Sequence, residues 1–226
     1  MTLLSERKTM IRGLLLGCVA ALLIAGCASK PTEQVVVGDL LKREDFGPSA
    51  IWQQYVHPEQ NVDFEIKNGF YEAKAWDGGF MWTIEPPDET DTVIEVTTTQ
   101  LSDYRNNAYG VMCRALPTDN GDGYYFLISG DGQYTIRRGA VDNIHALIPF
   151  TPSSAIHQDK TSNTIRAVCI GTYLALYVND IFVAETHDDY FKTGYTGLSV
   201  AVVKGSDATA DITFDDLSVS KGTLAQ

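Results

Sequence analysis

The sequence predicts an all-β protein, an antiparallel sandwich or barrel, and three observations predict it. About a dozen short runs rich in Val, Ile, Thr, Tyr and Phe follow one another from residue 61 onwards. Turn residues punctuate them at close intervals, and no stretch longer than a turn or two carries a helical period. No βαβ alternation appears, which removes the parallel-sheet classes. About two hundred residues with an average apolar fraction suit one domain with one buried core.

The chain opens with Arg7, Lys8 and Arg12 ahead of an apolar run from Leu14 to Ala25. A bilayer-spanning helix needs about 20 such residues, so this run is too short to span. Basic flank, apolar run and small residues are the order of a secretory signal, with Met10 an alternative start. Ile24-Ala25-Gly26-Cys27 has the form of a bacterial lipobox, in which the cysteine is acylated and becomes the mature N-terminus. Residues 1–26 are therefore expected as signal, 27–41 as lipidated N-terminus and tether, and 42–221 as the β-domain. The expected address is the cell envelope, lipid-anchored and extracytoplasmic, on the outer membrane or cell surface. The net charge of −12 argues against nucleic acid and against anionic headgroups as partners, leaving the lipid as the membrane contact.

Strands are expected in order. NVDFEI and FYEAKA flank Asn68-Gly69, the strongest hairpin dipeptide. FMWTIE is expected to end at Pro86-Pro87, and TVIEVTTTQ is β-branched throughout. AYGVMCRAL, GYYFLIS and QYTIRRG follow, the last two joined by Gly130-Asp131-Gly132. VDNIHALIPF, NTIRAVCI, TYLALYV, IFVAET, GYTGLSVAVV and DITFDDLSVS complete the series. With period two, Cys113 points away from Arg114, and Cys169 away from Arg166. If both arginines face out, both thiols face in, and an exported protein is expected to pair them.

The order EDFGPSAIW, then YGVMCRA…DGYYFLISGDGQYTIRR, then NTIRAVCIGTYLALYVND, then GLSVAVV…ITFDDLSVS resembles the concanavalin A-like lectin/glucanase superfamily. Within it the likeness is to laminin-G-like and 3-keto-disaccharide-hydrolase-type domains. The resemblance spans about residues 42–220. It implies a two-sheet antiparallel jelly-roll sandwich with a concave face on which relatives bind or cleave glycans. Glucanases of this kind carry E-x-D-x-x-E on one strand. Here Glu95 keeps the first place, while Thr97 and Gln100 occupy the other two, so Glu95 is only a weak catalytic candidate. Related carbohydrate-binding jelly rolls also hold a structural Ca²⁺ between their first and last strands. That implies Asp45, Asp215 and Asp216 as candidate ligands, calcium preferring six to eight oxygens.

Other chemistry is sparse. His57, His145, His157 and His187 are scattered, and no nucleophile elbow or phosphate loop is present. Aromatic rings remain, on which sugars stack their C–H faces beside polar groups. Trp76, Trp82, Tyr104, Arg105, Arg114, Tyr125 and Arg137 are the candidates for ligand contact. The expected function is a non-catalytic binding domain for glycan or an envelope protein partner. The alternatives are a glycoside-processing enzyme of the 3-keto-disaccharide-hydrolase type and a structural subunit of an envelope complex.

Overall fold

The structure is a computed structural model that describes residues 30–118 and 120–225. Cys27 and the apolar run before it lie outside the described residues. Fifteen strands follow in order. They are β1 (Val35–Glu44), β2 (Tyr55–His57), β3 (Val62–Lys67), β4 (Phe70–Trp76) and β5 (Phe80–Glu89). Then come β6 (Thr92–Gln100), β7 (Asn107–Ala115), β8 (Gly123–Ile128), β9 (Gln133–Ala140) and β10 (Asn143–Pro152). β11 (Ser162–Ile170), β12 (Tyr173–Val178), β13 (Ile181–His187), β14 (Gly194–Val202) and β15 (Thr209–Leu224) complete the chain.

They form two antiparallel sheets. The larger has nine strands in the order β13-β12-β11-β6-β15-β4-β3-β2, with β1 also pairing β15. The smaller has six, in the order β10-β9-β8-β7-β14-β5. This is the expected two-sheet sandwich. The Asn68-Gly69 hairpin joins β3 to β4 with Lys67 opposite Phe70. β15 is long enough to pair β4 with its first half and β1 with its second, while β6 runs along its other edge.

Facing side chains fill the space between the sheets. Phe64, Tyr71, Ile94, Val96, Ile165 and Phe214 come from one side, and Val111, Phe126, Ile136 and Leu198 from the other. EDFGPSAIW forms no strand beyond Glu44, the last residue of β1. It turns Phe46 and Trp52 into the core, where the Trp52 indole N–H donates to Thr83 Oγ1 at 2.9 Å. That bond satisfies the one polar atom of a side chain that brings a large apolar area inside.

Cys113 on β7 and Cys169 on β11 form the expected disulfide, joining the two sheets across a sequence separation of 56. A loop of that length gives a stabilisation of about 4 kcal/mol from loop-closure entropy, before strain is deducted.

Three expectations about the chain need correction. The segment 35–41 is no tether but most of β1, because pairing with β15 satisfies its backbone. β5 does not stop at Pro86-Pro87; it continues to Glu89 on a sheet edge, where a missing N–H leaves no ladder bond unmade. Arg114 does not face out. Its φ of 50° breaks the alternation and turns the side chain inward, where it is 2% exposed.

Candidate functional site

The outer face of the six-stranded sheet carries the site, and residue size along the strands shapes it. On β7 and β14 most outward positions are small: Ala108 and Gly110 on β7, where Met112 is the exception, and Gly197, Ser199 and Ala201 on β14. Large side chains stand on the edge strands. β5 supplies Phe80, Trp82 and Ile84 on one side, and β10 supplies Ile144 and Phe150 on the other. Small residues between large ones leave a trough of about 260 Å³. Its depth explains a departure from simple alternation. All of β8 is buried, with Tyr124 and Phe126 in the inner core and Tyr125 and Leu127 in the trough floor.

Tyr125 anchors the floor. Its hydroxyl donates to the Gly121 carbonyl at 2.5 Å, and burial pushes its phenol pKa well up. Its ring centroid lies 6.1 Å from that of Phe80, which lies 5.4 Å from that of Trp82. An aromatic corner thus runs from the floor to the β5 rim. Phe80 and Phe150 are each more than a third exposed, so both rims present aromatic surface to solvent.

Arg137, opposite Tyr125 in the β8–β9 register, stands between floor and far rim. Its Nε donates to Thr135 Oγ1 at 3.2 Å, and its guanidinium carbon lies 4.8 Å from the Phe150 ring centroid. Burial, and no neighbouring charge, lowers its pKa from the ordinary arginine value. Asn106 and Asn107 close one end of the trough. Asn107 is committed to structure: its amide donates to Gln100 and to the Tyr104 carbonyl, and its oxygen accepts from Gly130 N–H. Asn106 is exposed at the mouth.

The structure therefore brings Trp82, Tyr125 and Arg137 together and scatters the other candidates. Trp76 ends β4 on the opposite sheet. Tyr104 packs against the core from its loop, and Arg105 pairs with Asp159. Arg114 is structural. It donates to the carbonyls of Thr90, Gly171 and Phe191 at 2.8–3.0 Å and to Asp91 at 3.3 Å, tying three loops together near the disulfide. Phe80, Ile144 and Phe150 went unnoticed in sequence. The period-two pattern of FMWTIE, which sets Phe80 beside Trp82, is the signal that marks the first of them.

Glu95 lies on the outer face of the other sheet, away from the trough. It accepts from Arg166 Nε at 2.7 Å, and Arg166 also binds Asp180. The trough lining includes no carboxylate. At the β1–β15 corner, Asp45 accepts from Gly47 N–H, Asp215 from Asp216 N–H, and Asp216 pairs with Arg43. Burial, with the nearby Asp216 and Asp45 charges, holds the Asp215 carboxyl above its usual range. Among the described residues no three His, Cys, Asp or Glu side chains converge at metal-binding distance.

No protein-family model and no curated protein sequence matches the chain. Solved structures do match it in fold. The carbohydrate-binding module CBM66 from Bacillus subtilis is 16% identical, covers 75% of this chain and 95% of its own, and superposes with a TM-score of 0.59. A B. subtilis protein of unknown function with a galectin-like fold is 11% identical over 84% of this chain and 99% of its own, with a TM-score of 0.60. The laminarinase of Flavobacterium sp. UMI-01 is 12% identical over 81% and 100%, with a TM-score of 0.53. At such identities the likeness concerns the fold alone, a two-sheet antiparallel jelly-roll sandwich of the kind that the order of the sequence segments implies.

Proposed function

We propose that this protein is a lipid-anchored, extracytoplasmic binding domain that takes a glycan in the trough of its six-stranded sheet and does not cleave it. The carrying observation is the trough: aromatic rims at Phe80 and Phe150, an aromatic floor at Tyr125, and one cation at its centre. Sugars stack apolar faces on such rings. Canonical glycoside hydrolysis needs a pair of carboxyl groups, about 5–5.5 Å apart in retaining enzymes. The trough lining has none, and Glu95 faces the other way. Neighbours that share the fold include a carbohydrate-binding module and a laminarinase, which supports a glycan ligand without naming it. The anchor rests on Ile24-Ala25-Gly26-Cys27, and the Cys113–Cys169 bridge agrees with an oxidising compartment.

The test is binding of the full-length protein, in detergent, to an oligosaccharide array, with mass spectrometry of the bound sugars. Retention of intact sugar, lost in Phe150→Ala, is the expected result. Release of a shortened product would establish an enzyme instead. For the anchor, palmitate labelling of the wild type and its loss in Cys27→Ser are expected; an unlabelled wild type removes that part of the proposal.

A further inference from the structure

Among the described residues every arginine but one has a carboxylate partner. Arg43 pairs with Asp216, Arg105 with Asp159, Arg114 with Asp91, Arg138 with Asp188, and Arg166 with Glu95 and Asp180. The exception is Arg137. Acidic partners are abundant, since Asp and Glu outnumber Lys and Arg by 29 to 17, yet none of them lines the trough. The trough thus combines the one unpartnered guanidinium among the described residues of a strongly acidic protein with a lining that holds no acid.

Arg137 is also held in place. Thr135 accepts from its Nε and the Phe150 ring lies beside its plane, while its two terminal nitrogens have no protein acceptor among the described residues. Its neighbours on the lining are mainly apolar, including Leu127, Ile144 and Ala201. A guanidinium fixed at one nitrogen, stacked, and partly desolvated is ready for a planar two-oxygen anion, which accepts two parallel hydrogen bonds. A neutral hydroxyl offers no such match and leaves the charge without a counter-ion.

We propose that the trough selects an acidic glycan, with a carboxylate or sulfate substituent bound by the terminal nitrogens of Arg137 while the sugar face stacks on Phe150. This rests on the glycan-binding proposal above and specifies its ligand class. Carboxylate and sulfate present the same oxygens, so two probes separate the sources.

The experiment is titration calorimetry of the full-length protein in detergent against oligogalacturonate, a sulfated carrageenan oligosaccharide and neutral laminarihexaose. Wild-type protein is expected to bind at least one acidic probe at least about tenfold more tightly than the neutral one, and the better probe identifies the group. Arg137→Gln is expected to erase that preference at an unchanged melting temperature; Arg137→Lys keeps part of it. Phe150→Ala is expected to weaken acidic and neutral probes alike. Equal affinity for neutral and acidic probes, or a preference that survives Arg137→Gln, overturns the acidic ligand while leaving glycan binding intact. Binding of none of the three sugars overturns both.

Discussion

The two outer faces of the sandwich come from the same kind of strand and end in opposite states. On the nine-stranded sheet several outward charged side chains pair with one another. Glu95 and Arg166 sit directly opposite in the β6–β11 register, Arg166 reaches on to Asp180, and Lys74 bridges Glu72 and Asp211. Thr97, Thr99 and Thr213 fill the places between. On the six-stranded sheet the outward row from β5 to β10 reads Ile84, Gly197, Met112, Tyr125, Arg137, Ala146. It is mainly apolar, sunken, and holds a charge that no carboxylate among the described residues answers. The contrast is between a face whose arginine and lysine are paired within the protein and one whose arginine is not, and it is on the second that the ligand is proposed to sit.

The largest expected effect breaks the frame that carries both faces. Replacing Cys113 and Cys169 together by Ala is expected to lower unfolding stability by about 4 kcal/mol, read by urea titration under non-reducing conditions. A wild type indifferent to reductant would contradict a bridge between the sheets.

Two arginines then separate a buried charge that serves structure from one proposed to serve a ligand. Arg114→Met is expected to cost about 3 kcal/mol, because three loop carbonyls and Asp91 lose their donor in a buried site. Arg137→Met removes a charge with no partner and is expected to change stability by less than about 1 kcal/mol in either direction. Chemical denaturation of both variants checks the contrast, and similar losses would erase it.

The next pair compares the faces directly. Glu95→Gln and Phe150→Ala alter partly exposed groups, and each is expected to cost less than about 1 kcal/mol. Only Phe150→Ala is expected to weaken oligosaccharide binding. A binding loss in Glu95→Gln, measured by calorimetry, would move the site to the other sheet.

The smallest effect concerns pH. Burial raises the Asp211 carboxyl above its unfolded value, with Lys74 opposing. A raised pKa means that folding favours the protonated form, so the cost of the charge is absent below the unfolded pKa, near 4, and grows as pH rises through the folded value. Asp211→Asn is therefore expected to melt slightly higher than the wild type at pH 7, by less than about 1 kcal/mol in stability, with no advantage at pH 3. A penalty at pH 7 would mean that the Lys74 pair outweighs burial.

Much of the fold is legible in the sequence. TVIEVTTTQ gives β6 from Thr92 to Gln100, the Asn68-Gly69 hairpin lies where expected, and the cysteines meet between the sheets. These are local signals, or follow from period two. The site is less legible because it is assembled across the sheet. Phe80, Tyr125, Arg137 and Phe150 come from four strands, and their meeting depends on registers and on which edge each strand occupies. Trp82, Tyr125 and Arg137 could be nominated by residue type. Arg114 could be too, and wrongly, since a single residue at φ 50° reverses what alternation predicts. The β1 strand was obscured for another reason: VVVGDLLKRE has β-type residues at its start, but only the second half of β15 gives them a partner.

That pairing has a consequence for engineering. Val35 lies opposite Leu224, and Ala225 N–H donates to the Gln34 carbonyl at 2.8 Å, so the folded unit's two ends leave from one corner. A unit that enters and exits at one point can be spliced into a surface loop of a host protein without prising that loop apart. The span 34–225 is thus a cassette whose trough can be transplanted as a whole, with no linker needed to bridge its ends.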